Sequence, residues 1–173
     1  MSKTLSGLFV GTIGDRNRNV TENHRYYATQ IRRHVVLWAQ KKVEELETVS
    51  KRQREKFNTA SVVFDESTGK YYYGRNKGIE KNGSIKNPIL FGDNTHDGIL
   101  PKHTLNDYVI GNCSEVDAIN NALNAGAKLE NLHLTTIHTT SGKMGQSKEA
   151  CKNCTFSFKG RIKRNYTGWY KED

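Results

Sequence analysis

Cysteine and proline are scarce in these 173 residues, with three of the first and two of the second. No apolar run is long enough to span a membrane. Each shortage excludes something. Three cysteines cannot pair completely and Cys-x-x-Cys is too tight for an ordinary structural disulfide, so metal or redox use replaces a disulfide framework. A thioredoxin-like reading is excluded too, because the pair Cys151/Cys154 lies about 20 residues from the C-terminus rather than after an N-terminal strand. The stretch Leu5 to Ile13 is short, interrupted by glycines, and lacks the basic start and cleavage site of a signal peptide. The chain therefore reads as carrying no export signal of its own and as the end of something longer. Internal repeats and low-complexity tracts are missing.

What is present is positive charge: 27 Lys and Arg against 18 Asp and Glu, a net +9. That balance favours an anionic partner, nucleic acid first and an acidic protein second. At 35% hydrophobic, the chain can still bury one core. From Thr21 to Phe57 there is neither Pro nor Gly, and Tyr27, Ile31, Val35 and Trp38 recur at helical spacing. Eleven Lys/Arg between Arg16 and Lys56 face five glutamates, which predicts one long basic helix or two shorter ones, with Thr21 as N-cap. Residues 1–20 read as a loose leader, so 1–57 is expected to be leader and N-terminal helical extension and 58–173 the main domain. There, Ala60 to Phe64 and Tyr71 to Gly74 flank a turn at Asp65 to Gly69, a hairpin signal. Lys77 to Asn112 has no clear period, holds both prolines and is expected to line the site. A helix follows over 113–125 with Gly126 as its stop, then a strand from Leu132 to Thr139, a helix carrying Cys151 and Cys154, and a final strand from Arg161 to Tyr170. The order is that of an α/β layered domain.

The chemistry concentrates in Asn112-Cys113-Ser114-Glu115 and, 38 residues after Cys113, Cys151-Lys152-Asn153-Cys154. Three thiolates at two helix starts can hold Zn²⁺ as a cofactor with a fourth position open for water. Bound zinc would activate that water as hydroxide, and Glu115, two residues after a ligand, is within reach to shuttle the proton. The bland alternative is a closed zinc knuckle completed by His138, His133 or His103, with Glu115 only complementing a helix dipole.

Those residues resemble the zinc-dependent nucleotide and nucleic-acid deaminase superfamily, and most closely the YwqJ-like deaminase domains of bacterial polymorphic toxins. The likeness covers about residues 58–170 and rests on Cys113-Ser114-Glu115 and Cys151-Lys152-Asn153-Cys154 in a hairpin–helix–strand–helix setting. Ala150 stands where many members have Pro, which argues against close kinship with housekeeping deaminases. The resemblance implies a cytidine-deaminase-like three-layer α/β fold, with a central mixed sheet of about five strands. It implies metal ligands Cys113, Cys151 and Cys154, catalytic Glu115, and a substrate contact from Asn76 in Gly74-Arg75-Asn76. It also implies a toxin delivered into a target bacterial cell, with a cognate acidic immunity protein as partner. His138, closing its strand, is a further candidate for the substrate base. Basic residues from Lys143 to Lys171 interleave with aromatics, of which Trp169 and Tyr170 are open to stacking while Phe156 and Phe158 read as core. The expected reaction is deamination of cytosine to uracil in single-stranded DNA or RNA. A zinc-stabilised nucleic-acid-binding module and a nuclease toxin with a structural zinc are the competing readings.

Overall fold

A computed structural model describes the backbone of residues 13–172 and the side chains of residues 24–172. The proline-free N-terminal stretch forms one helix, α1 (Ile13–Glu47), followed by the short α2 (Lys51–Lys56). Thr21 therefore lies inside α1 and does not cap it, and the expected leader already turns helical at Ile13. Ser50 caps α2 by accepting from the Gln53 amide at 3.1 Å.

Strands β1 (Thr59–Asp65), β2 (Lys70–Arg75), β3 (Leu132–His138) and β4 (Arg164–Asn165) make a mixed sheet in the order β2-β1-β3-β4. β1 runs antiparallel to both neighbours, and β4 parallels β3. β1 is buried throughout because helices cover both faces. Ala60, Val62 and Phe64 join Ile31, Val35, Ala39 and Phe57 in one cluster under α1. Val63 joins a second cluster on the opposite face, with Val116, Ile119 and Leu123 of α5 (Ser114–Asn124) and Phe158 of α6 (Lys152–Phe158). Trp38 of α1 stacks on Tyr73 and His34 on Tyr71, so the helical stripe is met by aromatics along β2. The boundary expected at residue 57 thus runs through one packed layer. Among the described residues no helix is long and apolar enough to cross a membrane.

The sheet departs from expectation at its edge. Among the described residues it has four strands, and the tail supplies only Arg164–Asn165 instead of Arg161 to Tyr170. The Asn165 side chain ends the strand: Oδ1 accepts from the Thr167 amide at 3.1 Å and Nδ2 donates to the Gly168 carbonyl at 2.7 Å. The long aperiodic stretch contains two short helices, α3 (Gly78–Asn82) and α4 (Pro88–Phe91). At Gly74 the sheet meets α5 so closely that a Cβ would lie 2.3 Å from the Ala118 amide nitrogen and 2.5 Å from the Ser114 carbonyl oxygen.

His133 knits β3 to the hairpin turn and the tail. Its Nε2 lies 2.9 Å from Glu66 Oε2 and its Nδ1 2.8 Å from the Tyr166 hydroxyl. A carboxylate only accepts, so Nε2 carries the proton and Nδ1 accepts from Tyr166. Burial pushes the imidazole below its usual range against the opposing pull of Glu66, with Lys163 and Arg164 adding to the depression. Burial alone would raise Glu66, but hydrogen bonds from His133 and Lys163 hold it below 4.5. Below about pH 6.5 the unfolded chain therefore takes a proton that folded His133 refuses, and stability falls; Glu66 adds a second loss below about pH 4.5. In urea titrations from pH 8 to 4, His133→Gln should be less stable at pH 8 by about 1–3 kcal/mol and lose less than wild type between pH 7 and 5. His34 and His138 are depressed as well, so the difference between the two proteins isolates His133.

Candidate metal centre and cleft

Two helix starts bring the cysteines together. Cys113 is the N-cap of α5 and Cys151 the N-cap of α6, with Cys154 buried in the first turn of α6. All three are free, their sulfurs lie within 4.8 Å of one another, and Cys113 and Cys151 are 3.5 Å apart. Tetrahedral coordination at a metal–sulfur distance of about 2.3 Å requires sulfurs roughly 3.8 Å apart, so this donor set fits a thiophilic metal ion. Among the described residues no histidine or carboxylate joins the three sulfurs at that spacing. Of the three histidines considered as a fourth ligand, His133 is engaged with Glu66 and Tyr166 and His103 is exposed, while His138 lines the same cleft as the cysteines.

The three thiols shift in opposite directions. Hydrogen bonds from the Cys113 and Cys154 thiols, with the Cys154 amide and Lys148, pull Cys151 far below the usual thiol range. Hydrogen bonds with Cys113 and Cys151, then burial, push Cys154 up, and the bond to Cys151 raises Cys113.

Glu115 is 2% exposed and belongs to the wall of a cleft of about 480 Å³ that also holds Cys113 and Cys151. Burial raises its carboxyl and Lys148 opposes that rise. Its two oxygens differ. Oε1 accepts from the Ser114 hydroxyl at 3.0 Å, whereas Oε2 is buried without a partner among the described residues. Ser114 Oγ lies 2.7 Å from Ser61 Oγ, which lies 2.7 Å from Thr136 Oγ1. Each hydroxyl has one proton, and Ser114's goes to Glu115. Ser61 must then donate to Ser114, and Thr136 to Ser61. This buried file crosses from β3 through β1 to the start of α5 and fixes one carboxyl oxygen while leaving the other open.

The remaining candidates separate. Asn76 lines the cleft, but its amide ties backbone: Oδ1 accepts from the Asn58 and Thr59 amides and Nδ2 donates to the Lys56 carbonyl at 2.7 Å. His138 also lines it, and its ring makes no hydrogen bond among the described residues; burial, then Lys143 and Lys148, depress its pKa. Trp169 is not in the cleft wall and packs instead against the core beside α5 and α6. Phe158 is buried as expected, whereas Phe156 is 57% exposed.

Two residues escaped the sequence reading. Lys148 lines the cleft, where the negative charges of Glu115 and Cys151 outweigh burial and keep it protonated. In the sequence it was one of eight basic residues in its stretch, and only its place three residues before Cys151 set it apart. Asn153, between the paired cysteines, hydrogen-bonds the loop around Thr104 to Asn106, a partner almost 50 positions away that no local pattern announces. The chain matches no protein-family model, no curated protein and no solved structure.

Two outcomes are expected. Metal analysis should find one ion per chain, with the Cys154→Ser protein losing it, and chelation should lower Tm by about 10 °C because a tightly bound ion stabilises only the folded state. Cobalt loading should give thiolate charge-transfer absorption; a protein that holds no stoichiometric metal would remove the centre. Separately, Thr136→Val should cost about 1–3 kcal/mol in urea melts by leaving Ser61 without its donor, while Thr136→Ser stays near wild type. Equal losses in the two variants would mean the hydroxyl file carries no stability.

Proposed function

We propose that this chain is a zinc-dependent deaminase of the bacterial toxin type, converting a nucleobase, cytosine foremost, in single-stranded DNA or RNA. The observation that carries the reading is the Glu115 carboxyl, buried in the wall of the cleft that also holds Cys113 and Cys151, with one oxygen unpartnered and no fourth protein ligand at the three sulfurs among the described residues. A structural zinc site would be closed by a fourth side chain and would have no use for a carboxyl kept out of water. The finer fold assignment, a cytidine-deaminase-like sheet of five strands, belongs to the same proposal; four strands in mixed order and two cysteine-bearing helices on one face are compatible with it.

Cys113, Cys151 and Cys154 would hold the ion, which when bound supplies a hydroxide nucleophile at neutral pH. The chain's own residues do the rest. Oε2 of Glu115 accepts one proton of the attacking water and delivers it to the exocyclic amine, which leaves as ammonia, while the water's other proton ends on the adjacent ring nitrogen and its oxygen remains as the carbonyl. The hydroxyl file from Thr136 keeps Oε1 engaged, so that proton transfer falls to one oxygen. Lys148 offsets the negative charge gathered by Glu115 and the thiolates. Lys77 and Lys143 line the same cleft and favour a phosphate-bearing substrate over a free base. The net charge of +9 suits both nucleic acid and an acidic immunity protein in the producing cell, with delivery into a target bacterium as the setting.

Incubation with single-stranded DNA, duplex DNA, RNA and free nucleosides, followed by mass analysis, should reveal exchange of NH by O. Glu115→Ala should lose turnover by about 100-fold or more with metal content unchanged. No exchange in any substrate would sink the proposal. Strand cleavage that survives Glu115→Ala would identify a nuclease instead.

A further inference from the structure

The segment from Leu105 to Val109 forms neither helix nor strand and exposes three apolar side chains: Leu105 at 40%, Tyr108 at 59% and Val109 at 68%. Several of its polar groups are held by hydrogen bonds, although Thr104 and Asp107 are themselves exposed. The Asn153 side chain, 5% exposed, accepts from the Leu105 amide at 2.8 Å and donates to Thr104 Oγ1 and Asn106 Oδ1, each at 3.1 Å. Thr104 Oγ1 lies 2.6 Å from the Tyr108 carbonyl, and Asn106 Oδ1 accepts from the Tyr108 amide at 2.8 Å. The loop is clasped by a buried asparagine and presents three apolar side chains to solvent. A loop held in one shape loses little entropy on binding, so the arrangement suits a ligand that lies flat on it.

Its position says which ligand. Tyr108 and Val109 line the cleft that contains Glu115 and the cysteines, and Asn153 stands between Cys151 and Cys154, so the loop is tied to the sulfur cluster. Lys77 and Lys143 line the same cleft, and neither ammonium has an ion-pair partner among the described residues. Lys77 is also held at φ +58, a conformation that non-glycine residues rarely adopt and that tends to collect at functional sites. An exposed aromatic ring beside unpaired cations, along one cleft, is the combination that binds single strands through base stacking and phosphate contacts. Among the described residues the cleft wall sets Lys77, Lys143 and Lys148 against the acids Glu115 and Asp107.

We infer that the loop is a stacking platform for the base next to the reacting one in a single-stranded polynucleotide, with Tyr108 as the stacking side chain and Thr104 and Asn153 as positioning residues. This rests on the proposed reading of the cleft as a nucleobase site. The test uses a short single-stranded oligodeoxynucleotide bearing one cytosine with 2-aminopurine beside it, and follows both anisotropy and 2-aminopurine quenching. Wild type should bind and quench. Tyr108→Ala should lose the quench and raise Kd about 10-fold, while Tyr108→Phe, which keeps the ring, stays within about 2-fold. Thr104→Val, which loosens the clasp and leaves the ring, should fall between them. Oligonucleotide binding and quenching that Tyr108→Ala does not change would overturn the platform, and would be the result if the loop docked a protein instead. Turnover of the same oligonucleotide separates the two readings. Quenching without exchange of NH by O removes the deaminase and leaves the platform. Exchange that is insensitive to Tyr108 removes the platform alone.

Discussion

Everything around the cleft depends on keeping one carboxyl group out of water beside three sulfurs. A buried carboxylate is costly unless something satisfies it, and here half of it is satisfied. The Thr136–Ser61–Ser114 file reaches Oε1 of Glu115 from the strands below, and Lys148 supplies the nearby positive charge. The unsatisfied half is Oε2. Native proteins pair nearly all buried polar atoms, and of the four such atoms without a partner among the described residues, with Arg54 Nη1, Asp117 Oδ1 and Thr135 Oγ1, only this one belongs to the cleft wall.

That arrangement needs α5 to sit close to the sheet, and the sheet is built to allow it. Gly74 has no side chain to hold the helix off, and the first turn of α5 rests on β2 where any Cβ would meet backbone. Ser61 and Thr136 are small enough to lie beneath the helix start and polar enough to reach Ser114. The opposite face carries a different burden. α1 seals it with Ile31, Val35 and Ala39, which lets β1 be buried on both sides and hold Ser61 in register. Among the described residues no side chain of the N-terminal helix lines the cleft, but Arg32 hydrogen-bonds Ser147 and the Gly145 carbonyl in the segment between Lys143 and Lys148.

What could be read from the residues alone was whatever is encoded at short range. Cys113 and Glu115 are two apart at a helix start, Cys151 and Cys154 three apart at another, and the spacing alone sets their common direction. The stripe from Tyr27 to Trp38 was legible for the same reason, since helical period is local. Contacts set by the tertiary fold were not legible. Asn76 looked like a substrate ligand because its neighbourhood in sequence has the right form, yet its amide closes the junction between α2 and β1. Trp169 followed a basic aromatic stretch, but the turn at Asn165 to Gly168 directs the chain back against α6, where the Tyr170 amide meets Thr155. Tyr108 lay in the Lys77 to Asn112 stretch expected to line the site, but nothing singled it out there, because its loop takes its shape from Asn153, 45 positions away.

Charge acts here at two ranges, and only one shows in composition. Most basic residues of α1 and the C-terminal stretch are exposed, so beyond about 10 Å their field is screened at moderate salt and serves to gather an anionic partner. Lys148 is different, being half-buried in the cleft wall, where screening is weak and a single ammonium can offset the carboxyl and thiolates. Removing one surface lysine subtracts one part of a diffuse field, whereas removing Lys148 leaves a concentrated negative site without its counter-charge. On the proposed reading, a strand attracted by the first kind of charge still has to be placed at short range. Placement falls to the rim, where Lys77 and Lys143 flank a loop whose shape is set from the cysteine-bearing segment. On that reading attraction and placement are carried by different residues, and of the rim only the loop around Thr104 to Asn106 is tied by Asn153 to the cysteine-bearing segment.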